Sequence, residues 1–305
     1  MVSRRCLTHE MISLNEILVA RQRVTRSLRW RGATGLVALL LALFASAGCS
    51  AAGSPPAPQA HPSGSALTGT TSPQPSRRAS AAPARSRFTV LGLGDSVTSA
   101  AACGCAGFVQ DFSDALAGRR GSLVRSVNLG QPGLTSVQLD EELHHDSPVR
   151  NSVGTADIVL ITIGANDLMP SLAAWDAAGC NDVCAGRGIS AVRSRISSIV
   201  DQVHALRHGL PTQVLVTNYW NVFEDGDVAS ANRGQSYLVW SDRLTQRLNA
   251  SICSAATSGG ATCVDLYAPF KGDGTANPTH LLAGDGDHPN AAGHAAIAAA
   301  LMAQM

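Results

Sequence analysis

The stretch VLGLGDSVTSA, residues 90–100, is an apolar run that ends in an Asp-Ser pair. Such a run is typical of a buried strand, and Asp95 and Ser96 follow where that strand should end. A serine at this position has two ordinary uses, because it can cap the following helix or act as a nucleophile. The rest of the sequence decides between the two.

Short β-branched runs alternate with helical patterns after this stretch. The runs that predict strands are residues 87–93, 123–129, 157–164, 213–220 and 262–267. Apolar residues recur every three or four positions in 189–208 and 237–252, which predicts amphipathic helices, and 290–305 predicts a last helix. Alternating strands and helices favour a parallel sheet covered on both faces. The sequence therefore predicts an α/β fold, a three-layer α/β/α domain around a central parallel five-stranded sheet.

Composition divides the 305-residue chain into three zones. In residues 1–49, an arginine-rich stretch precedes roughly 14 apolar residues and a cluster of small ones, which is typical of a secretory signal peptide. That apolar run is too short for a comfortable transmembrane span. Residues 50–86 are rich in Pro, Ser, Ala and Gly and predict a disordered linker. Residues 87–305 are then the folded domain.

The segment SAGC, residues 46–49, resembles a bacterial lipobox, in which the cysteine becomes the lipidated N-terminus. Ser46 stands where leucine is usual, so ordinary cleavage after ASA at 45–47 stays open. Both interpretations predict export. Lipidation of Cys49 would tether the protein as a lipoprotein to the outer face of the cell membrane.

Cysteine usage agrees with export, because an even number of cysteines in an exported domain suggests disulfides. Apart from Cys6 and Cys49, the cysteines are Cys103, Cys105, Cys180, Cys184, Cys253 and Cys263. Cys253 and Cys263 flank a short loop and are the most easily predicted pair. The other four could pair as 103/105 with 180/184, or locally as 180–184. Zinc binding is the alternative for these four, although their spacing departs from CxxC.

A serine hydroxyl is a weak nucleophile, so Ser96 needs a base. His288, in the loop GDGDHPNAAGH at 284–294, can take the proton and return it to a leaving group. Asp285, on the same tight loop, can orient the imidazole through its other nitrogen. Asp287 is adjacent to the histidine, and we expect its side chain to point away from the ring.

Attack of Ser96 on a carbonyl creates a negative oxygen that hydrogen-bond donors must stabilise. The third predicted strand ends in GANDL, residues 164–168, where Asn166 offers a side-chain NH₂. The second ends in NLGQPGLTS, residues 128–136, where Gly133 offers a backbone N–H with no Cβ to obstruct it. The amide of Ser96, at the start of a helix, is the third predicted donor.

These segments resemble, in order, the four blocks of the SGNH, or GDSL-type, hydrolase family. GDSV with Ser96 resembles the first block, GANDL the third and DGDHPNAAGH the last. NLGQPGLTS resembles the second, with Gly133 aligned to the family's oxyanion glycine and Gly130 as the alternative. The resemblance covers residues 90–294. It implies a flavodoxin-like SGNH hydrolase fold, a secreted actinobacterial-type esterase or lipase, and chemistry without a metal or cofactor.

Other polar residues have structural interpretations. Asp95 and Asp167 are expected to support their loops by hydrogen bonds, and His294 to pack inside the last helix. The HHD segment at 144–146 is expected to be a solvated face, because adjacent histidines point to different sides of a helix. Thr98 excludes the G-x-S-x-G elbow of the α/β-hydrolase fold.

The predicted function is that of a serine esterase or lipase that cleaves carboxylic esters through an acyl-enzyme. A carbohydrate O-deacetylase, thioesterase, phospholipase or acyltransferase could use the same site, and a catalytically inactive surface binding module is the non-enzyme alternative. The substrate is expected to be a small-molecule, lipid or carbohydrate ester. The net charge of +1 gives no reason to expect nucleic acid. We expect a monomer whose substrate pocket is lined by the loops 170–188 and 222–236.

Overall fold

A computed structural model describes residues 87–305 of the chain. The predictions for residues 1–49 and 50–86, including lipidation of Cys49, membrane tethering and the linker, lie outside the described residues and stay predictions. Within the described part, no helix combines the length and the apolar character needed to cross a membrane.

The centre of the domain is a parallel five-stranded sheet in the order β2-β1-β3-β4-β5. Its strands are β1 Arg87–Gly94, β2 Leu123–Gly130, β3 Ile158–Thr162, β4 Gln213–Thr217 and β5 Thr262–Val264. Both the predicted α/β class and the flavodoxin-like order are confirmed. In such a sheet a ligand binds beyond the carboxyl ends of the strands, where the order reverses between β1 and β3.

Helices flank the sheet, and the core lies between them and the buried strands. They are α1 Ser96–Ser99, α2 Phe108–Arg120, α3 Ser136–His145, α4 Ser147–Thr155, α5 Met169–Ala178, α6 Asp182–Leu206, α7 Gly226–Asn232, α8 Gln235–Ser258, α9 Tyr267–Lys271 and α10 Ala291–Met302, with 3₁₀ turns at Asn166–Leu168 and Thr279–Leu281. Helix α2 packs on α10, and both α3 and α8 pack on α6. The apolar stripe of α6 is buried, as its periodicity predicts.

Strands β4 and β5 end earlier than predicted because side chains bind their loops together. Asn218 follows β4; its Nδ2 donates to Asp265 Oδ1 at 2.7 Å, and its Oδ1 accepts from the Leu266 amide at 2.5 Å. Asp265 also accepts from the amides of Tyr267 and Ala268. These bonds turn the chain into α9 instead of continuing the strand.

The cysteines of the described residues form local disulfides. The pairs are Cys103–Cys105, Cys180–Cys184 and Cys253–Cys263, with Cα–Cα distances of 5.3, 5.7 and 5.0 Å. The pairing of Cys253 with Cys263 is confirmed, and the other four take the local option. The disulfides take up all four of these thiols, whereas the alternative of zinc binding needs free thiolates. Asn181, between the second pair, caps α6, which therefore begins upstream of the predicted residue 189.

Candidate active site

The turn after β1 presents Ser96 at the carboxyl edge of the sheet. Gly94 has φ +134°, and a Cβ there would collide with the carbonyl oxygen of Thr162 on β3. The missing side chain lets the Asp95 amide donate to that carbonyl at 3.0 Å. Asp95 then caps α1, since its Oδ1 accepts from the Val97 amide at 3.0 Å. Ser96 is thus fixed at the first position of α1.

Three side chains from opposite ends of the domain form one hydrogen-bonded chain. His288 Nε2 lies 2.9 Å from Ser96 Oγ, and His288 Nδ1 lies 2.8 Å from Asp285 Oδ2. Asp285 Oδ1 accepts from the amides of Asp287 and His288 at 3.0 and 3.1 Å. Partial burial would raise the pKa of Asp285, but these bonds and the imidazole together lower it. Asp285 is therefore a stable carboxylate that can hold the imidazole ring.

Contacts on both sides fix the loop that carries His288. Asn290 Nδ2 donates to the carbonyls of His280 and Leu282 at 3.0 and 2.9 Å. From another part of the chain, the Asp225 amide donates to the Gly286 carbonyl at 2.7 Å. Gly286 has φ +72°, in the left-handed region where a side chain would be strained. The ring position is set by backbone contacts as well as by Asp285.

Asn166 and Gly133 lie in the same cavity as Ser96 and His288. Asn166 Nδ2 donates one bond to the Leu134 carbonyl at 2.9 Å, which ties it to the Gly133 turn. An amide nitrogen carries two hydrogens, so a second remains for another acceptor. Both groups are therefore present beside the serine.

Gly130, the alternative oxyanion glycine, has a different use. Its amide donates to Asn128 Oδ1 at 2.9 Å, and a Cβ at this position would collide with the backbone of Thr98 and Ser99. It therefore allows β2 to pack closely against α1. Of the two glycines, Gly133 is the one that lines the cavity.

Asp167 supports the turn of its neighbour Asn166, as predicted. Its two carboxylate oxygens accept from the amide and the hydroxyl of Ser136 at 2.9 and 2.7 Å. These bonds connect the 3₁₀ turn after β3 to the start of α3. The predicted role of Asp167 is confirmed.

The cavity has a volume of about 280 Å³. Its walls are Asp95, Ser96, Val97, Pro132, Gly133, Ala165, Asn166, Met169, Tyr219, Trp220, Asn221, Val222, Asp287 and His288. Of the loops 170–188 and 222–236, only Val222 is among these residues, so the prediction that these loops line the pocket is largely wrong. The chain leaves β4 directly across the cavity, and residues 219–222 form that wall instead.

Beneath the serine turn, Asp95 is buried and bound to a tyrosine. Tyr219 donates its hydroxyl to Asp95 Oδ2 at 2.5 Å. Burial raises the pKa of Asp95 to about 7, although the bonds from Tyr219 and Val97 oppose the rise. Sequence reasoning missed Tyr219. The available signal was its place just beyond the carboxyl end of a buried strand, where ligand sites lie.

Asp287 does not point away from the imidazole as predicted. Its Oδ2 lies 3.9 Å from His288 Nδ1, and the residue lines the cavity. The tight turn that directs the Asp287 and His288 amides onto Asp285 also turns the Asp287 side chain inward. The expectation is wrong because adjacent side chains point to opposite sides in an extended chain but not in this tight turn.

Two other predictions about histidines are confirmed. His294 is buried in α10, its Nδ1 accepts from the Phe108 amide at 3.3 Å, and its ring stacks on Phe108. Burial lowers the pKa of His294 to about 4, which keeps the ring neutral. His144 and His145 are exposed at the end of α3, as expected of a solvated face.

A family model described as GDSL-like Lipase/Acylhydrolase family matches residues 93–296. The chain belongs to this family. The match includes every residue of the hydrogen-bonded chain and the cavity's amide donors. The predicted family is thereby confirmed, and the protein is an ester hydrolase. No curated protein sequence matches the chain significantly.

Solved structures similar to this GDSL-like hydrolase support the fold. A lipase from a goat rumen metagenome is 20% identical with a TM-score of 0.60, covering 71% of this chain and 96% of that one. A protein described as a GDSL-like lipase from Parabacteroides merdae is 18% identical with a TM-score of 0.53, covering 71% and 94%. A mutant acetylxylan esterase from Geobacillus stearothermophilus is 20% identical with a TM-score of 0.51, covering 71% and 93%.

Proposed function

We propose that this hydrolase cleaves carboxylic esters through a triad of Ser96, His288 and Asp285. Ser96 Oγ attacks the ester carbonyl while its proton passes to His288 Nε2, and Asp285 holds the imidazolium that forms. The bond between the carbonyl carbon and the alcohol oxygen breaks, and His288 returns the proton to the departing alcohol. The product of this half-reaction is an acyl-Ser96 ester.

Water completes the cycle. A water molecule gives a proton to His288 Nε2 and attacks the acyl carbon, and the bond to Ser96 Oγ breaks. The proton then returns from His288 to Ser96 Oγ, so the carboxylic acid leaves and the enzyme is restored. The observation that carries this proposal is the Ser96–His288–Asp285 geometry, with 2.9 and 2.8 Å between the bonded atoms.

The negative oxygen formed in each half-reaction needs donors. The amides of Ser96 and Gly133 and the Asn166 side chain are the proposed ones, because all three residues line the cavity. The Ser96 amide also lies at the start of α1, where the first backbone N–H groups have no partner within the helix. A short helix adds little dipole, so the donors themselves supply the stabilisation.

A short acyl group fits this cavity better than a long chain. The volume of about 280 Å³ is slightly below the usual range for ligand sites, and the apolar walls include Pro132, Ala165, Met169 and Val222. The second candidate function is removal of acetyl groups from carbohydrates, which the same small cavity favours. The acetylxylan esterase among the similar structures is named for that reaction.

The test is fluorophosphonate labelling together with hydrolysis of p-nitrophenyl acetate and p-nitrophenyl octanoate. We expect Ser96→Ala to abolish labelling and to lower kcat by at least ~10³-fold, because the nucleophile is lost. Ser99→Ala, a change of the same kind in the same helix, is expected to remain labelled. Undiminished hydrolysis by Ser96→Ala would refute the proposal, and a preference for octanoate would refute the short acyl group.

A further inference from the structure

Asp287 is an acid that the proposed triad does not use. It lies in the cavity lined by Ser96 and His288, which we call the catalytic cavity. Its carboxylate lies 3.9 Å from His288 Nδ1, too far for a hydrogen bond, and its side chain is 41% exposed. Asp285 already occupies Nδ1 at 2.8 Å. The Asp287 carboxylate is therefore available to a ligand in the cavity.

The charge around Asp287 is not balanced by a cation. Within residues 87–305, no Lys or Arg lines this cavity. Partial burial, and the carboxylates of Asp285 and Glu224 nearby, raise the pKa of Asp287 to about 6, although His288 opposes the rise. At pH 8 the group is an anion with no Lys or Arg in the lining of the cavity to neutralise it. Buried or half-buried charges normally have partners, so a missing one points to a ligand.

The chemistry of the site determines which part of an ester Asp287 meets. The oxyanion must lie towards Gly133 and Asn166, while His288 must reach the oxygen of the departing alcohol. The alcohol therefore lies on the His288 side of Ser96. Asp287 is the chain neighbour of His288 and lines the same cavity, so we place it on the side of the cavity where the alcohol departs.

We propose that Asp287 selects the alcohol part of the ester, favouring alcohols that carry hydrogen-bond donors or positive charge and rejecting anionic ones. This inference rests on the proposed function, because it uses the direction of proton transfer by His288. A carboxylate accepts strong hydrogen bonds from hydroxyl or ammonium groups, and it repels a like charge. Asp287 thus acts as a specificity residue and not as a member of the triad.

The experiment uses three aryl acetates that differ in the para substituent of the leaving phenol and, through it, in charge. They are 4-acetoxybenzoate, 4-acetoxybenzamide and 4-acetoxyphenyl-trimethylammonium, measured at pH 8 and low salt with the wild type and Asp287→Asn. We expect Asp287→Asn to raise kcat/KM for the anionic ester relative to the cationic one on the order of tenfold, since partial exposure screens the interaction. Comparing ratios between variants cancels the intrinsic reactivities of the phenols.

Asp227→Asn is the matched control. It removes the same charge from an exposed residue that binds Asn277 and lies outside the catalytic cavity. We expect its ester ratio to stay within about twofold of the wild type. An equal shift in both variants would mean that only the overall field matters and would overturn the assignment to Asp287.

A salt titration of the wild type needs no variant to fold. The preference for the cationic over the anionic ester should narrow between 20 mM and 1 M NaCl as screening increases. A ratio that is independent of salt, or an Asp287→Asn variant that slows all three esters equally, overturns the inference. These failures differ from failure of the proposed function, in which the wild type would not be labelled at Ser96 at all.

Discussion

The catalytic cavity and a second cavity differ in whether their carboxylates are paired with a cationic side chain. Their volumes are similar, about 280 and 340 Å³. In the second, which we call the lysine cavity, Lys271 Nζ lies 2.6 Å from Asp225 Oδ2 and 3.7 Å from Asp242 Oδ1. In the catalytic cavity, Asp95 has only a tyrosine hydroxyl as its side-chain partner, and no Lys or Arg lines the cavity beside Asp287.

This difference distinguishes charged groups that stabilise the fold from charged groups that can interact with a ligand or a proton. The Lys271 side chain is 8% exposed and the Asp225 side chain 3%, so each ion depends on the other to offset its lost hydration. Carboxylates without a cation keep shifted pKa values and stay available for ligands or protons. A concave surface alone therefore does not identify an active site; the state of its charges does.

The largest expected effect is on stability, from Lys271→Met. Removing the lysine leaves Asp225 buried without its cation, which should lower the free energy of unfolding by about 3 to 5 kcal/mol. Urea unfolding measures the loss. Arg233→Met, which breaks the more exposed pair with Asp176, is the control and should cost about 1 kcal/mol or less.

The same variant also tests whether the two cavities are independent. The amide of Asp225 donates to the carbonyl of Gly286 on the loop that carries His288. We expect kcat/KM per folded molecule to stay within about threefold, because that contact is between backbone atoms. A tenfold fall in a fully folded sample would show that the ion pair also positions His288, and the separation of roles would be wrong.

The next effect concerns the pH dependence of stability through Asp95. Its pKa is about 7 in the folded protein against 3.8 ordinarily, so the folded state holds the proton more tightly between these values. The contribution of Asp95 to the free energy of unfolding is fully present below pH 3.8. It falls as the pH rises to 7, by up to about 4 kcal/mol. Asp95→Asn cannot ionise and should remove this fall.

Urea unfolding of the wild type and Asp95→Asn at pH 4, 5.5 and 7 measures the difference. Burial lowers the pKa of His294 to about 4, which has the opposite slope, but it contributes to both proteins and cancels. Parallel profiles would mean that Asp95 ionises normally and that the catalytic cavity holds no shifted carboxylate beneath the serine.

The smallest of these effects is on the transition state, from Asn166→Ala. Loss of one of the proposed oxyanion donors should lower kcat by about 10²- to 10³-fold, or about 3 kcal/mol, with little change in KM. Asn277→Ala removes the same residue type from the lysine cavity and should leave kcat within about twofold. Equal effects of the two variants would contradict the claim that only the catalytic cavity stabilises the transition state.

Features that depend on neighbouring residues were predictable. Asp285 and His288 are close in sequence, and one turn brings their side chains within 2.8 Å. Cys253 and Cys263 are likewise close in sequence and form a disulfide. Other local details failed where a loop makes distant contacts, as at Asn218, whose bonds to residues after β5 shorten two predicted strands.

By itself, the sequence determined the alternation of strands and helices, the family, and the placement of Ser96 and Asn166 where strands end. Only the tertiary structure decided that Tyr219 lies under Asp95, that Asp287 faces the cavity, and that no Lys or Arg lines that cavity within residues 87–305. The reason is physical. Periodicity and turn geometry depend on a few neighbouring residues and can be predicted from the sequence. Desolvation and charge pairing depend on which residues, far apart in sequence, come into contact in the folded protein.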